Sequence, residues 1–148
     1  MRGRSGPFWD AVEGRAPLPR AAATPSLELV DADVDTGTIE LAFTATEALT
    51  NPTGNVLGAF RAAMLHDTVG PALLATLEPD QFQSTLQFNV SFPRPVRPGR
   101  LVGRGRILHR DGDLVFLEAS LFDGQGQVIA TATATARVIA LSHAAAVA

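Results

Sequence analysis

The sequence predicts an α+β domain in which a curved antiparallel sheet of about six strands wraps around one long buried helix. The stretch from Val56 to Thr76 is apolar on nearly every side, which is typical of a helix buried on several faces. Segments with alternating polar and apolar residues precede and follow it, and this alternation predicts strands. A single helix this apolar needs cover on several sides, which a curved sheet can supply.

Two strands are expected before the helix and four after it. The first two contain Leu27–Leu29 and Ile39–Phe43, joined by the turn-forming residues 31–37. The later strands are expected over residues 85–92, 101–109, 114–122 and 128–139. In the first of these, simple alternation places Thr85, Gln87, Asn89 and Ser91 on one face. In the last, alternate alanines present a face that a helix can approach closely.

The chain of 148 residues fits one domain. We expect this domain to cover residues 26–140, with an N-terminal helical and irregular segment (1–25) packed on it. A short helix is predicted from Pro7 to Gly14, and the prolines that follow exclude a long regular element. Residues 141–148 are expected to form a disordered tail.

Composition excludes several classes of function. The net charge of -3 and the scattered arginines argue against nucleic-acid binding. The absence of cysteine excludes disulfides and thiolate chemistry, and the three distant histidines do not have metal-ligand spacing. No apolar stretch is long enough for a membrane span, and the first residues lack the apolar core of a signal peptide. We therefore expect a cytoplasmic protein that uses no cofactor and binds neither nucleic acid nor membrane.

Three stretches follow a known order of motifs: NPTGNVLGAFRAAMLHDTVGPAL, then STLQFNVSFPRPVRPGRLVGRGRILHRDGD, then GQGQVIATATATARVI. Over about residues 37–139 they resemble the hotdog-fold acyl-CoA thioesterases of the phenylacetate-pathway (PaaI) type. The pattern of that family has a loop Asn and Gly, a His-Gly-Gly, a helical Asp, a strand Thr or Ser, and an aromatic-x-Arg-Pro strand end. The resemblance implies a hotdog fold, an acyl-CoA-type substrate, and a homodimer or homotetramer.

The resemblance also implies a substrate-binding end of the helix. Asn51 and Gly54 match the loop Asn and Gly, and Leu57-Gly58-Ala59 stands in place of His-Gly-Gly. In the family, backbone N–H groups at this helix terminus bind the thioester carbonyl and stabilise the oxyanion. Asn51 is expected to bond the thioester or to position water, and Thr85 matches the strand residue that helps to hold the attacking water.

The catalytic Asp of the family, which reaches the cleft from the neighbouring subunit, corresponds to His66. His66 is either a general base or a histidine satisfied by a backbone carbonyl. Asp67 follows it, and one step along a helix rotates a side chain by about 100°. We therefore expect Asp67 to point away from the cleft as a surface or interface carboxylate; the alternative is a displaced base.

Arg61 stands where the buried helix should have an apolar residue. A buried charge needs a partner, so Arg61 is expected either to face a carboxylate at a subunit interface or to bind a ligand phosphate. The exposed arginines between positions 94 and 106 are also candidates for phosphate binding.

The predicted function is hydrolysis of an acyl-CoA-type thioester at a cleft between two hotdog subunits, slow because His66 replaces the Asp. Two alternatives remain open. One is hydration or dehydration of an acyl chain, in which a histidine and an acid cooperate. The other is a catalytically degenerate protein that binds acyl ligands.

Overall fold

The computed structural model describes residues 3–147, and its main feature is a six-stranded antiparallel sheet around one long helix. The helices are α1 (Pro7–Val12), α2 (Arg20–Ala23), α3 (Gly58–Leu74) and α4 (Ala144–Val147). The strands are β1 (Glu28–Asp33), β2 (Thr38–Ala45), β3 (Gln81–Ser91), β4 (Gly99–Asp111), β5 (Leu114–Phe122) and β6 (Val128–Ala140). The sheet order is β1-β2-β4-β5-β6-β3. The predicted α+β architecture is confirmed.

Helix α3 is two residues shorter at each end than predicted, and it has one open side. Its inner side is formed by the buried Met64, Leu65, Val69, Ala72 and Leu73. Ala59, Ala63 and His66 are exposed on the other side, so the helix is not buried all round within one chain. Pro71 lies in its last turn, and the helix continues to Leu74. None of the helices in residues 3–147 is long and apolar enough to cross a membrane.

Two glycines of β4 allow α3 to lie close to the sheet. A Cβ atom at Gly103 would meet the Thr68 side chain and lie 3.1 Å from Phe43 Cε2. A Cβ atom at Gly105 would lie 3.0 Å from Thr68 Cγ2. The alanines of β6 are buried, as predicted, and leave similar room: Ala130, Ala132, Ala134 and Ala136.

The N-terminal segment is anchored on the end of α3 by Trp9. This side chain is 2% exposed, and its Nε1 donates a hydrogen bond of 3.0 Å to the carbonyl of Ala75. Helix α1 ends two residues before the predicted Gly14, and α2 is a single turn between the prolines. Met1 and Arg2 of the predicted N-terminal segment lie outside the described residues.

The residues after β6 form short helical turns, and the disorder of this tail stays a prediction. A 3₁₀ turn covers Leu141–His143, and α4 follows directly. The Leu141 N–H donates to the carbonyl of Asp80 at 2.8 Å, which ties the turn to the start of β3. Alanine has the highest helix propensity, which accounts for a helical turn in the alanine-rich sequence. Ala148 lies outside the described residues.

The two edges of the sheet differ in chemistry. Edge strand β1 is short, has a register shift after Leu29, and exposes Asp31 and Asp33. Charges and irregularities of this kind protect an edge from pairing with another strand. Edge strand β3 has 11 residues and exposes Leu86 by 50%, and Phe92 just beyond it is 45% exposed. Strand β3 is therefore the edge that is open to pairing.

Candidate active site

The loop before α3 is organised by Asn51. Its Oδ1 accepts hydrogen bonds from the Thr53 N–H (3.0 Å), the Thr53 hydroxyl (2.6 Å) and the Asn55 N–H (3.2 Å). Gly54 has a φ of 84°, which favours glycine, and Arg97 donates to the neighbouring Thr53 carbonyl at 3.0 Å. Because Oδ1 accepts bonds within the loop, the Nδ2 group is the part of the Asn51 side chain that can bind a ligand, as a donor.

The N-terminus of α3 is uncapped. Leu57 at the N-cap is 41% exposed, and no side chain makes a capping hydrogen bond. The first N–H groups of a helix have no acceptor within it and form the positive end of the helix dipole. Those of Gly58 and Ala59 are therefore the groups that can bind a carbonyl oxygen or an oxyanion. The Phe92 ring packs over Gly58, with Cζ 3.4 Å from the position that a Cβ would take.

Arg61 is held by backbone carbonyls of its own chain, and its expected contact with a partner carboxylate or a ligand phosphate stays a prediction. Its Nη1 donates to the carbonyls of Arg94 (2.9 Å) and Ile129 (3.0 Å), and its guanidinium lies 4.7 Å from the centre of the Phe92 ring. The side chain is 9% exposed, and its Nε has no partner among the described residues. Burial lowers the pKa of Arg61. Arg61 therefore ties the end of α3 to the segment after β3, and the Nε–H is its only buried donor without a partner.

His66 and Asp67 lie together in the middle of α3. His66 is exposed, and its ring packs edge-on against Phe88 with 5.3 Å between ring centres. Asp67 is half-buried, and burial raises the pKa of its carboxyl, an effect that the charge of His66 partly opposes. Both residues line the same cavity of about 210 Å³. The cavity is wide enough to be lined by two successive residues of the helix, and the expectation that Asp67 points away from the catalytic cleft stays a prediction.

Thr85 lies on the inner face of β3, near the same part of α3. A register shift between Thr85 and Gln87 makes Leu86 a bulge residue. A bulge reverses the alternation of faces, so Thr85 and Gln87 do not share a face as simple alternation predicted. Thr85 pairs with the buried Ala136, whereas Gln87 pairs with Thr135.

Gln83 is a polar member of the site that the sequence analysis missed. It is 8% exposed, lines the cavity with His66 and Asp67, and accepts a hydrogen bond of 3.3 Å from the Thr85 hydroxyl. A Cβ at Gly70 would lie 3.3 Å from Gln83 Nε2, so this amide packs on the helix backbone. The available signal was a glutamine two residues before Thr85, on the same face of the strand.

The candidate residues form two groups on one helix. The carbonyl-binding end contains Asn51, Gly54, Leu57, Gly58 and Ala59; the mid-helix group contains His66, Asp67, Gln83 and Thr85. From Gly58 to His66 the helix rises by about 12 Å, at 1.5 Å per residue. A reacting carbonyl must lie about 3 Å from its hydrogen-bond donors and from the attacking water, which in turn lies about 3 Å from its base. One carbonyl and one water span about 6 Å in this arrangement, about half of the rise between the two groups.

Comparison with known proteins assigns this arrangement to a family. A sequence profile of the thioesterase superfamily matches residues 53–130, more than half of the chain. A phenylacetic acid degradation-related protein of Ralstonia eutropha, assigned as a thioesterase, is 37% identical to this chain. The alignment of the two structures covers 88% of this chain and 98% of that one, with a TM-score of 0.84. No protein of curated function matches the sequence.

Two more distant structures share the fold. A thioesterase of Haemophilus influenzae is 17% identical, with a TM-score of 0.80 over 93% of this chain and 94% of that one. The PaaI protein of the Escherichia coli phenylacetic acid degradation operon is 14% identical, with a TM-score of 0.78 over 89% and 93%. The profile and the Ralstonia protein support thioester hydrolysis as the general reaction. The chain belongs to the thioesterase superfamily, and the predicted hotdog fold is confirmed.

Proposed function

We propose that the protein hydrolyses acyl-CoA-type thioesters in a cleft formed by two copies of the chain. The observation that carries this proposal is the pairing of an uncapped α3 N-terminus with a histidine and a half-buried carboxylate on the same helix. The helix N-terminus binds developing negative charge, and the histidine or the carboxylate supplies a base. Hydrolysis of a thioester needs both.

At the carbonyl-binding end, the N–H groups of Gly58 and Ala59 hold the thioester oxygen. The Nδ2 of Asn51 adds a donor from the preceding loop. These donors become stronger ligands as the carbonyl oxygen gains negative charge, so they favour the transition state over the bound substrate. Leu57 and Ala59 can replace a histidine and a glycine of the family pattern here, because the backbone provides the N–H groups.

At the mid-helix group, His66 takes a proton from water while the oxygen of that water attacks the thioester carbon. The tetrahedral intermediate collapses, the C–S bond breaks, and the thiolate takes the proton from His66. Thr85 helps to hold the water. Asp67 is a second candidate for the base, because a carboxylate whose pKa is raised by burial accepts a proton more readily at neutral pH than an ordinary one.

The second copy of the chain is needed because the two groups lie about 12 Å apart along one helix. A symmetric dimer formed along the open edge of β3 runs the two α3 helices in opposite directions. The N-terminus of one helix then faces the middle of the other. The exposed side of α3 has Ala59 and Ala63 beside His66, and such small side chains permit close approach.

The arginines near the carbonyl-binding end suit the phosphates of CoA. Arg94 and Arg97 are exposed, and Arg97 is held beside the Asn51 loop. Arg104 and Arg106 instead contact Glu40 (3.6 Å) and Glu118 (2.5 Å) on the outer face of the sheet. We therefore place the nucleotide near Arg94 and Arg97.

A thiol-release assay with a panel of acyl-CoAs tests the proposal, with His109→Ala as a matched histidine control on an exposed hairpin. If His66 is the base, His66→Ala lowers kcat by about 10²–10⁴-fold, the usual contribution of a general base. Asp67→Asn then has little effect on kcat.

If Asp67 is the base, Asp67→Asn is the damaging change and His66→Ala keeps most of the rate. The acid limb of the pH profile then moves to higher pH in His66→Ala, because the charge that lowers the pKa of Asp67 is gone. Absence of thiol release from every acyl-CoA by the wild-type protein overturns hydrolysis. A change in enoyl-CoA absorbance then identifies a hydratase, and saturable acyl-CoA binding without turnover identifies a binding protein.

A further inference from the structure

The cavity beside His66 and Asp67 has an apolar interior. Its polar residues lie on α3 and β3, namely His66, Asp67 and Gln83. The other side chains are chiefly apolar: Phe8, Val12, Leu18, Leu27, Leu74 and Phe82. No arginine lines it among the residues whose side chains the structure describes. A cavity with one polar side and an otherwise apolar lining suits a molecule with a carbonyl at one end and a hydrocarbon body.

The outer wall of this cavity is built by the N-terminal segment. Residues of α1 and α2, with the prolines and leucines around them, lie opposite the α3 residues His66, Asp67, Gly70 and Pro71. Trp9 holds α1 in place through its buried ring and its bond to Ala75. Gly70 has no side chain, so the Gln83 amide packs closely against α3 at this point. The segment before β1 therefore closes a space that the sheet and α3 alone leave open.

We propose that this cavity receives the acyl group of the substrate and that residues 7–27 set the longest acyl group accepted. The inference rests on the proposed thioesterase function and adds a substrate class to it. A cavity of 150 Å³ accommodates benzene, so about 210 Å³ has room for about eight carbons. The substrate class is therefore an uncharged aliphatic or aryl acyl group of up to about eight carbons.

The position of the cavity agrees with this assignment. His66 and Asp67 line it, so a thioester carbonyl presented to either base has its acyl chain directed along the apolar wall. Among the side chains that the structure describes, none around the apolar wall of the cavity is charged, so a carboxylate at the far end of the acyl chain would be buried without a partner and is excluded.

The test enlarges one side chain of the wall. Ala11 lines the cavity from α1, and Ala11→Phe fills it; Ala140→Phe makes the same chemical change at an exposed site outside it. Each buried methylene contributes about fourfold to kcat/KM. In Ala11→Phe the cavity loses room for four or more methylenes. We therefore expect kcat/KM for octanoyl-CoA, divided by kcat/KM for acetyl-CoA, to fall at least about 10²-fold. The ratio stays at the wild-type value in Ala140→Phe, and an equal ratio in all three proteins overturns the proposal.

A binding measurement separates this inference from the catalytic one. Octanamide, which has the carbonyl and the chain but no thioester, raises the Tm of the wild type and of Ala140→Phe but not of Ala11→Phe. Suberic acid monoamide, with a carboxylate at the far end, raises none of them. If no acyl-CoA is hydrolysed but this pattern holds, the proposed function fails and the acyl cavity stands. Equal shifts in all three proteins, or none with octanamide, overturn the cavity assignment. If Ala11→Phe does not fold, Ala21→Phe on α2 replaces it.

Discussion

The close contact between α3 and β4 predicts a large effect of adding one methyl group at Gly103. The Cβ of Gly103→Ala would meet Thr68 Oγ1 and lie 3.1 Å from Phe43 Cε2 and 3.3 Å from Thr68 Cγ2. Thr68 cannot turn away without loss, because its hydroxyl donates a buried hydrogen bond of 2.8 Å to the carbonyl of Met64. Either this bond breaks or α3 moves away from the sheet.

The magnitude follows from these contacts. Overpacking a tight core costs about 1–3 kcal/mol, and an unsatisfied buried group costs a similar amount. Replacing glycine also restricts the unfolded chain, which raises the free energy of unfolding by about 0.4–1 kcal/mol. Because only one of the two relaxations is needed, and the gain is subtracted from its cost, we expect the free energy of unfolding to fall by about 0.5–2.5 kcal/mol.

Urea unfolding of Gly103→Ala and Gly124→Ala measures the effect. Gly124 lies in a turn where a Cβ meets nothing within 4 Å, so the control should be as stable as the wild type or up to about 1 kcal/mol more stable. A shift of α3 also displaces Asp67, which precedes Thr68, and a misplacement of 1 Å can lower a catalytic rate about 10²-fold. Equal stability of the two variants would refute the packing argument.

Two further predictions concern Asp67 and the shared cleft. Burial raises the pKa of Asp67 in the folded protein. Between its pKa in the unfolded chain and its higher pKa in the folded protein, the folded protein binds more protons, so the free energy of unfolding falls as pH rises. Asp67→Asn should therefore raise the urea midpoint at pH 7, with a gain that narrows as pH falls towards about 4; a gain that grows on acidification contradicts this. Mixing Asn51→Ala with His66→Ala/Asp67→Asn should restore about a quarter of wild-type activity, because half of the reassorted dimers are mixed and each has one intact site. Activity no higher than that of the separate variants contradicts a cleft between chains.

Most of the fold could be predicted because its elements have strong periodic patterns. Strand β5 has the predicted bounds, and α3 differs from the prediction by two residues at each end. In both, burial requires apolar residues at a regular spacing, and that spacing is visible in the sequence. The bulge at Leu86 was not predictable in this way, because a bulge adds one residue without a distinctive side chain. The bulge places Thr85 and Gln87 on opposite faces of β3, where simple alternation places them on the same face.

The contents of the site were harder to predict because they depend on contacts distant in sequence. The direction of Asp67 was inferred from helix geometry alone, but the cavity it lines is closed by residues about 40 to 60 positions earlier. The partners of Arg61 are backbone carbonyls of Arg94 and Ile129, which no side-chain pattern reveals. Gln83 was missed because its role depends on the closeness of Gly70.

The departures of this chain from the family pattern do not have equal consequences. Leu57 and Ala59 replace residues at a helix terminus where the binding groups are backbone N–H groups, which every residue except proline supplies. His66 replaces a residue whose side chain performs the chemistry, so this exchange bears directly on catalysis. The neighbouring Asp67 is half-buried at the same cavity, and the pKa of its carboxyl is raised. The chain thus has two candidate bases on successive residues, and the comparison of His66→Ala with Asp67→Asn identifies which of them acts in the proposed reaction.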